Sequence, residues 1–193
     1  MKKLAAFAVV VACGWPFASG QQQAANPASA PLSVEAAQIY GAFLDSYVGT
    51  GQRQVKLVET TSVFQVSDSE KTTPCIKHFE PEALDEKSQT IHVFDAALIN
   101  GRSIQLVNPA ATKIEDPEDA MKKGVSVDDA LKASFAAGQL RLSEIVFNKA
   151  HTFAIFSYAF HCGRLCGSGG NVLFERSKKV WVRSEEGCGT WIS

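Results

Sequence analysis

Ten residues in the last third of the 193-residue chain constrain the fold most strongly. In segment 152–161, apolar side chains occupy both faces of an extended strand: Phe153 and Ile155 on one face, and Phe156, Tyr158 and Phe160 on the other. A strand that is apolar on both faces must be covered on both. The segment therefore predicts a central strand of a sheet.

The segments around it predict further strands. Residues 140–148 are rich in apolar and β-branched side chains and lead into a turn at 148–151. Residues 162–170 are rich in glycine and predict a loop. Residues 172–176 and 180–184 predict a hairpin around Ser177-Lys178-Lys179, in which we expect Arg176 to face Val180.

Helical patterns come earlier in the chain. Ser33 is a candidate N-cap, and apolar residues then recur every three or four positions up to Gly49, as expected for one helical stripe; these are Val34, Ala37, Tyr40, Phe43, Leu44 and Tyr47. A second helix is predicted over residues 82–99, with Ile91, Phe94 and Leu98 as its apolar stripe. Two shorter helices are predicted over 118–123 and from Ser126 to Gly138, with the Ser126 hydroxyl as a cap.

The remaining front half is predicted as strands and loops. Residues 54–66 are rich in β-branched side chains and predict a strand, and residues 103–107 predict a short one. Residues 67–81 and 110–117 predict loops. Helices that precede a run of strands indicate an α+β fold, with a C-terminal antiparallel β-meander packed by the N-terminal and central helices.

The first twenty residues have the pattern of a secretory signal peptide. Lys2 and Lys3 precede an apolar run to about Phe17, and the small residues Ala18 to Gly20 offer a cleavage site. The run is too short to span a bilayer, which needs about 20 residues. We expect a mature chain in the periplasm or outside the cell, with a flexible tether at 21–32, one globular domain at 33–193 and no transmembrane segment.

A second interpretation of the start changes the localisation. Val10-Val11-Ala12-Cys13-Gly14 is similar to a bacterial lipoprotein box, in which the cysteine is lipidated and becomes the first residue. A lipid on Cys13 would tether the protein to a membrane surface.

The charge balance excludes one class of partner. Cleavage after Gly20 removes two lysines and no acids from 19 basic and 20 acidic residues, which leaves a net charge of −3. Binding to nucleic acid depends on a strongly basic surface, so we expect no nucleic acid partner.

Four cysteines remain after cleavage: Cys75, Cys162, Cys166 and Cys188. An even number of cysteines in an exported chain favours disulfides. The expected hairpin register places Cys188 opposite Ser168, close to the 162–166 segment. From the residues alone, Cys188 can therefore pair with Cys162, with Cys166, or with Cys75 if its loop folds over the same edge.

Other chemistry is compatible with these residues, although no catalytic, cofactor or metal signature is present. Cys75, His78, His161, Cys162, Cys166 and Cys188 include the ligand types that zinc prefers, without the spacing of paired zinc knuckles. Cys162 as a nucleophile would need a base from His78, His92 or His151.

Three further features have a structural and a functional interpretation. Gly167-Ser168-Gly169-Gly170 is similar to a phosphate-binding loop, but it precedes a strand instead of a helix. The acidic residues Glu115, Asp116, Glu118 and Asp119 lack the spacing of a calcium loop. The aromatic residues of segment 152–161, together with Trp181, would line a ligand cavity or fill the core, and the core is their usual place.

Residues 140–193 carry a resemblance to a family. The residues are Val146-Phe147-Asn148, Cys162-Gly163-Arg164-Leu165-Cys166-Gly167-Ser168-Gly169, Val172-Leu173-Phe174-Glu175, Trp181 and Trp191-Ile192-Ser193. They resemble the C-terminal end of an uncharacterised family of exported bacterial proteins. The resemblance implies that Cys162 pairs with Cys166, which leaves Cys75 for Cys188. Residues 185–190 depart from that pattern, which has an apolar segment there.

These observations favour a non-enzymatic envelope domain that binds a small ligand or another envelope protein. Small α+β domains often hold a cavity between sheet and helices. An extracytoplasmic hydrolase and a metal-binding envelope lipoprotein are the alternatives.

Overall fold

The computed structural model describes residues 30–49, 54–164 and 166–193. The predicted signal peptide, the lipoprotein box and residues 21–29 of the predicted tether lie outside the described residues. Ala30–Pro31 (β1) already pairs in parallel with His92–Val93 (β3), so regular pairing begins three residues before Ser33.

The main sheet contains eight strands. They are β2 (Val55–Val58), β4 (Ile104–Val107), β5 (Gln139–Leu142), β6 (Val146–Phe147), β7 (Phe153–Gly163), β8 (Cys166–Ser177), β9 (Val180–Arg183) and β10 (Thr190–Ile192). Strand order is β10-β8-β7-β5-β2-β4, with β9 also on β8 and β6 also on β7. The β2–β4 and β2–β5 pairs are parallel and the others are antiparallel. The predicted α+β class, the C-terminal meander and the central strand at 152–161 are confirmed.

Helix α1 (Val34–Val48) forms as predicted from Ser33. The Ser33 hydroxyl accepts a hydrogen bond from the N–H of Ala36, which satisfies one of the free donors at the helix start. The buried side of α1 carries Ile39, Tyr40, Phe43 and Leu44. This stripe packs on the first face of the sheet.

The two faces of the sheet bury separate cores. Antiparallel pairing puts Ala154, Phe156, Val172 and Phe174 on the first face, under α1. The second face carries Ile155 and Leu173, and it is covered by the segment from Phe64 to Phe79 together with Cys188. The central strand is therefore apolar on both sides because two different layers cover it.

Three further helices are present among the described residues: α2 (Ala96–Ile99), α3 (Pro117–Lys122) and α4 (Val127–Ala137). Ser126 caps α4 as predicted, since its Oγ accepts the N–H of Asp129 at 3.2 Å. Phe135 of α4 stacks on Phe160 with 6.2 Å between ring centroids. Because Phe160 shares the face of Phe156, α4 and α1 pack on the same face.

The predicted helix at 82–99 is wrong. The segment forms two 3₁₀ turns (Pro81–Leu84 and Glu86–Ser88), then β3, and only Ala96–Ile99 is helical. The Gln89 side chain accepts the N–H of Phe64 at 2.7 Å and donates to the Phe64 carbonyl at 3.0 Å. These two bonds imitate strand pairing and hold the segment extended.

Two predicted strands are shorter than expected. Within residues 54–66, the strand is Val55–Val58, followed by isolated bridges at Thr60 and Ser62. Residues 140–148 divide into β5 and β6. Between them, the N–H of Glu144 turns towards the carbonyl of Ser62, which interrupts pairing with β7.

The predicted glycine loop at 162–170 is also wrong, because Cys166 begins the twelve-residue strand β8. The register of the following hairpin differs by one residue: Arg176 pairs with Trp181, and Ser177 with Val180. After Arg183 the chain leaves the ladder and returns where Thr190 pairs with Gly170. Cys188 lies in this excursion and therefore does not face Ser168.

Glycine in β8 permits close packing of Trp191. A Cβ at Gly169 would lie 2.5 Å from the Tyr158 carbonyl oxygen and 2.7 Å from the indole ring. We expect Gly169→Ala to lower the free energy of unfolding by about 1–3 kcal/mol through overpacking, and to displace the indole. Denaturant unfolding and the tryptophan emission spectrum measure both effects. An unchanged stability and spectrum would contradict this packing.

Candidate functional site

The four cysteines form two disulfides. Cys75 is bonded to Cys188, with 5.4 Å between their Cα atoms, and Cys162 to Cys166, with 5.0 Å. This is the pairing that the family resemblance implies. The register argument that allowed Cys188 to pair with Cys162 or Cys166 fails because the chain leaves β8 before Cys188.

The disulfides remove the thiol chemistry considered from the sequence. A disulfide sulfur is neither a zinc thiolate nor a nucleophile. Within the described residues, no group of three or more His, Cys, Asp and Glu side chains is placed to hold a metal ion. Cys75, Cys162, Cys166 and Cys188 therefore supply neither the zinc ligands nor the nucleophile that the sequence allowed.

An open cavity lies on the first face of the sheet, at the tip of the β7–β8 hairpin. We call it the disulfide groove. Its floor is Phe160, the Cys162–Cys166 disulfide, Gly167 and Ser168. One wall comes from α3 and α4, through Pro117, Met121, Leu131 and Phe135; the other is Ile192 and Ser193 beside β8.

The disulfide groove exposes large apolar side chains. Its volume is about 580 Å³, which is within the range of small-molecule sites. Leu131, Phe135 and Ile192 are 38%, 43% and 88% exposed. All three line the same concave surface. An apolar ligand in the groove would cover part of their exposed surface, which is favourable in proportion to the area covered.

The hairpin tip joins the floor to the helical wall. Gly163 has φ +151° and lies so close to Pro117 that a Cβ would be 2.7 Å from the Pro117 Cδ. The N–H of Arg164 donates to Asp116 Oδ2 at 2.8 Å, and Arg164 Nη2 donates to Glu118 Oε2 at 2.8 Å. The start of α3 therefore rests directly on the tip.

The charged side chains at the rim, Asp116 and Glu118, are paired within the protein. The Arg164 backbone N–H holds the pKa of Asp116 below its usual value, with further help from the N–H of Glu118 and the Arg164 side chain. Lys122 lies 3.3 Å from Glu118. Of the other acidic residues in the predicted cluster, Glu115 pairs with Lys123 and Asp119 lies 3.6 Å from Lys122. The cluster thus anchors α3 to its neighbours and offers no set of calcium ligands.

The histidines lie apart from the disulfide groove. His78 Nε2 contacts Glu186 at 2.8 Å and its ring stacks on Phe153. His151 Nδ1 is 3.6 Å from Glu35. His161 is on the opposite face beside Trp191, where burial and then Arg141 lower its pKa. None of these rings lies beside a free thiol.

His92 belongs to a polar cluster that sequence reasoning missed. Its Nδ1 contacts Glu144 Oε2 at 2.8 Å, and its backbone N–H donates to Glu144 Oε1 at 2.9 Å. The Thr61 hydroxyl donates to the same carboxylate. Thr61 is hydrogen-bonded to the carboxylate and not to the imidazole, so the nucleophile–base pair of a hydrolase is absent from this cluster. The cluster connects the start of the sheet to the β5–β6 junction.

Buried negative charge also affects a neighbouring tyrosine. Tyr40 donates its hydroxyl to the Ser143 carbonyl at 2.6 Å. Burial raises the pKa of Tyr40 well above its ordinary value, and the Glu144 charge raises it further. Tyr40 therefore keeps its proton and serves as a donor in the core.

The five aromatic residues considered as the lining of a ligand cavity divide between the core and the disulfide groove. Phe156 and Trp181 are buried in the core below α1. Phe153 packs against the second-face core, and Tyr158 packs at the edge of the first. Among these five, Phe160 alone lines the disulfide groove. Met121, Leu131 and Phe135 were missed as site residues, although Leu131 and Phe135 occur at a four-residue spacing typical of one helix face.

Two of the segments that carry the family resemblance meet at the disulfide groove. Cys162, Cys166, Gly167 and Ser168 form its floor, and Ile192 and Ser193 form one wall. Arg164 fixes α3 at its rim. Two segments that are about 25 residues apart in the chain thus build one surface.

The helices of residues 30–49, 54–164 and 166–193 are too short or too polar to cross a membrane. Comparisons with protein-family models, with curated proteins and with solved structures find no match to this chain.

Proposed function

We propose that this protein is an exported, non-enzymatic domain that binds a small, uncharged apolar ligand in the disulfide groove. The observation that carries the proposal is the exposure of Leu131, Phe135 and Ile192 around one concave apolar surface. Isolated exposed apolar residues are ordinary on a protein surface, but convergence on a cavity marks a binding site.

The rim favours a ligand without charge. Asp116 and Glu118 are already paired with Arg164, and Glu118 also with Lys122. A charged headgroup would have to displace these pairs or lose its own hydration without compensation. An uncharged ligand gains the full benefit of apolar burial at no such cost.

We also propose that the chain is exported and that it belongs to the bacterial family which residues 140–193 resemble. The N-terminal pattern of Lys2, Lys3 and an apolar run supports secretion, and two disulfides favour an oxidising compartment. Mass spectrometry of the N-terminus of the protein isolated from its cell envelope tests export: a start at Gln21 supports signal-peptide cleavage, a lipidated Cys13 supports export in the membrane-tethered form, and an intact Met1 contradicts export.

The binding experiment uses two dyes that differ in charge. N-Phenyl-1-naphthylamine is uncharged, and 8-anilinonaphthalene-1-sulfonate has the same ring system with a sulfonate. We expect the oxidised protein to bind the uncharged dye more tightly, because the groove has no free cation for the sulfonate among its described residues. Equal affinity, or tighter binding of the sulfonate, would contradict an uncharged ligand.

Groove variants locate the binding. We expect Leu131→Gln and Phe135→Gln each to weaken binding of the uncharged dye by about tenfold or more, since each removes a large apolar contact. Val180→Gln is the matched control, because Val180 is 63% exposed on β9 and outside the groove. Equal effects of control and groove variants, or no binding by the wild type, would refute the proposed function.

A further inference from the structure

We infer that the second face of the sheet carries a separate binding site for a saccharide with a carboxylate, as found in hexuronic acids. The site consists of Trp191, Gly169, Ala159, Arg141 and His161, and we call it the indole platform. It lies on the face opposite the disulfide groove. The inference does not depend on the function proposed for that groove.

Four residues of the indole platform form one row across four neighbouring strands. Trp191 of β10 pairs with Gly169 of β8. Gly169 also pairs with Ala159 of β7, which pairs in turn with Arg141 of β5. Residues that pair across antiparallel strands share one face of the sheet. Three interstrand spacings therefore place the backbones of Trp191 and Arg141 about 14 Å apart.

The small residues in the middle of the row make the platform flat. The indole lies over Gly169, where a Cβ would be 2.7 Å from two ring atoms. Trp191 is nevertheless 41% exposed, although tryptophan is on average a largely buried residue. The sheet thus holds the ring from below and leaves part of it accessible to a ligand.

A flat surface with an exposed indole suits a sugar ring. The ring C–H groups of a sugar can pack on the indole while its hydroxyl groups stay in water. An aromatic ligand would gain more from a cavity that covers both of its faces. The described residues place no apolar side chain opposite the indole to form such a cavity, so the platform favours a saccharide.

Arg141 gives the platform its preference for charge. Arg102, Arg164 and Arg176 each form an ion pair with a carboxylate. Arg141 is exposed, and no Asp or Glu in the described parts of the chain pairs with it. A guanidinium group binds a carboxylate through two parallel hydrogen bonds. A carboxylate on the saccharide would therefore supply the partner that Arg141 lacks.

His161 adds polar contacts beside the indole. The two ring centroids are 5.8 Å apart. Burial and then the Arg141 charge lower the pKa of His161, so its ring is uncharged at neutral pH. A neutral imidazole has one donor and one acceptor nitrogen, which suits hydroxyl groups. Arg141 is then the one cation among the five residues, which matches a ligand with one negative charge per ring.

The first measurement compares acids with their esters. The oxidised protein is titrated at pH 7 by calorimetry with the trimers of galacturonic, glucuronic, mannuronic and guluronic acid, and with their methyl esters. We expect at least one acid to bind, and its ester to bind more weakly by about tenfold or more, because esterification removes the charge that Arg141 recognises. Binding of none of the four acids, or equal binding of acid and ester, would overturn the inference.

Variants assign the binding to the indole platform. Arg141→Gln is expected to abolish the difference between acid and ester, whereas Arg183→Gln, which removes an exposed arginine on β9, is the matched control and should keep it. Trp191→Ala is expected to weaken binding of the acid by about tenfold or more. Its fold is checked by urea unfolding, and Arg141→Gln decides the question if Trp191→Ala does not fold. An acid preference that survives Arg141→Gln would refute the inference.

The disulfide groove provides the last comparison. We expect Phe135→Gln to leave binding of the acid unchanged, since Phe135 lies in the groove on the other face. Loss of saccharide binding in Phe135→Gln but not in Arg141→Gln would place the saccharide in the groove and refute the platform. Failure of N-phenyl-1-naphthylamine to bind refutes the proposed function alone, because no residue of the indole platform is needed for that dye.

Discussion

Replacement of Cys75 and Cys188 by alanine is expected to lower the free energy of unfolding by about 4–5 kcal/mol. The bond joins residues 113 positions apart, and a link across a long segment removes much of the conformational entropy of the unfolded chain. Both sulfurs also pack inside the second-face core. Since single domains unfold with only about 5–15 kcal/mol, this loss is a large part of the total stability.

The matched control is the other disulfide. Cys162 and Cys166 are four positions apart, so the same relation gives only about 2 kcal/mol for their replacement by alanine. Urea unfolding of both double variants at equal pH measures the difference. Equal losses, or a larger loss from the short bridge, would contradict the assignment of Cys75–Cys188 as the main covalent support of the fold.

Removal of the Glu144 carboxylate is the second large effect. Glu144→Ala is expected to cost about 1–3 kcal/mol, because it removes a buried carboxylate that accepts several hydrogen bonds. The residue is only 6% exposed and accepts bonds from the Thr61 hydroxyl, the His92 N–H and the His92 ring. The Thr61 hydroxyl and the His92 N–H each keep a second partner, in the His92 carbonyl and in Thr61 Oγ1, so the His92 ring loses the most.

Glu144→Gln is the control that separates charge from hydrogen bonding. Its amide oxygen still accepts from Thr61 or His92, so we expect it to cost clearly less than Glu144→Ala in the same urea unfolding experiment. A loss below about 1 kcal/mol for alanine, comparable to a single ordinary hydrogen bond, would show that the cluster is not a structural centre.

Local signals account for the elements that the sequence predicts correctly. The Ser33 and Ser126 caps and the stripe of Tyr40, Phe43 and Leu44 depend on neighbours a few residues away. The strand at 152–161 is recognisable because both of its faces are apolar. Such patterns are visible in a single sequence, because the atoms that enforce them are close in the chain.

Long-range contacts account for the elements that it does not. Gln89 holds segment 82–99 extended through bonds to Phe64, 25 residues earlier, so a helical apolar stripe at Ile91, Phe94 and Leu98 is misleading. The glycines of β8 resemble a loop, but they make room for Trp191. The partner in each case lies too far along the chain for a local pattern to indicate it.

The disulfide groove was even less accessible to sequence reasoning. Its surfaces come from α3, α4, the hairpin tip and the segment at Ile192, and no spacing rule connects them. The expected hairpin register is one residue off, and Cys188 does not face Ser168 because the chain leaves β8 after Arg183 and returns at Thr190. The sequence offered a resemblance over residues 140–193, and the structure places Cys162, Cys166 and the last two of these residues at one surface.

The most direct test of the account is to map the binding surface by NMR. Backbone amide spectra of the oxidised, isotopically labelled protein are recorded while N-phenyl-1-naphthylamine is added. The account predicts that the largest shifts occur in α3, in residues 131–135 of α4, in residues 160–168 and at Ile192, with little change around Val180 or Glu144. Shifts that are absent, or that cluster outside the disulfide groove, would contradict it.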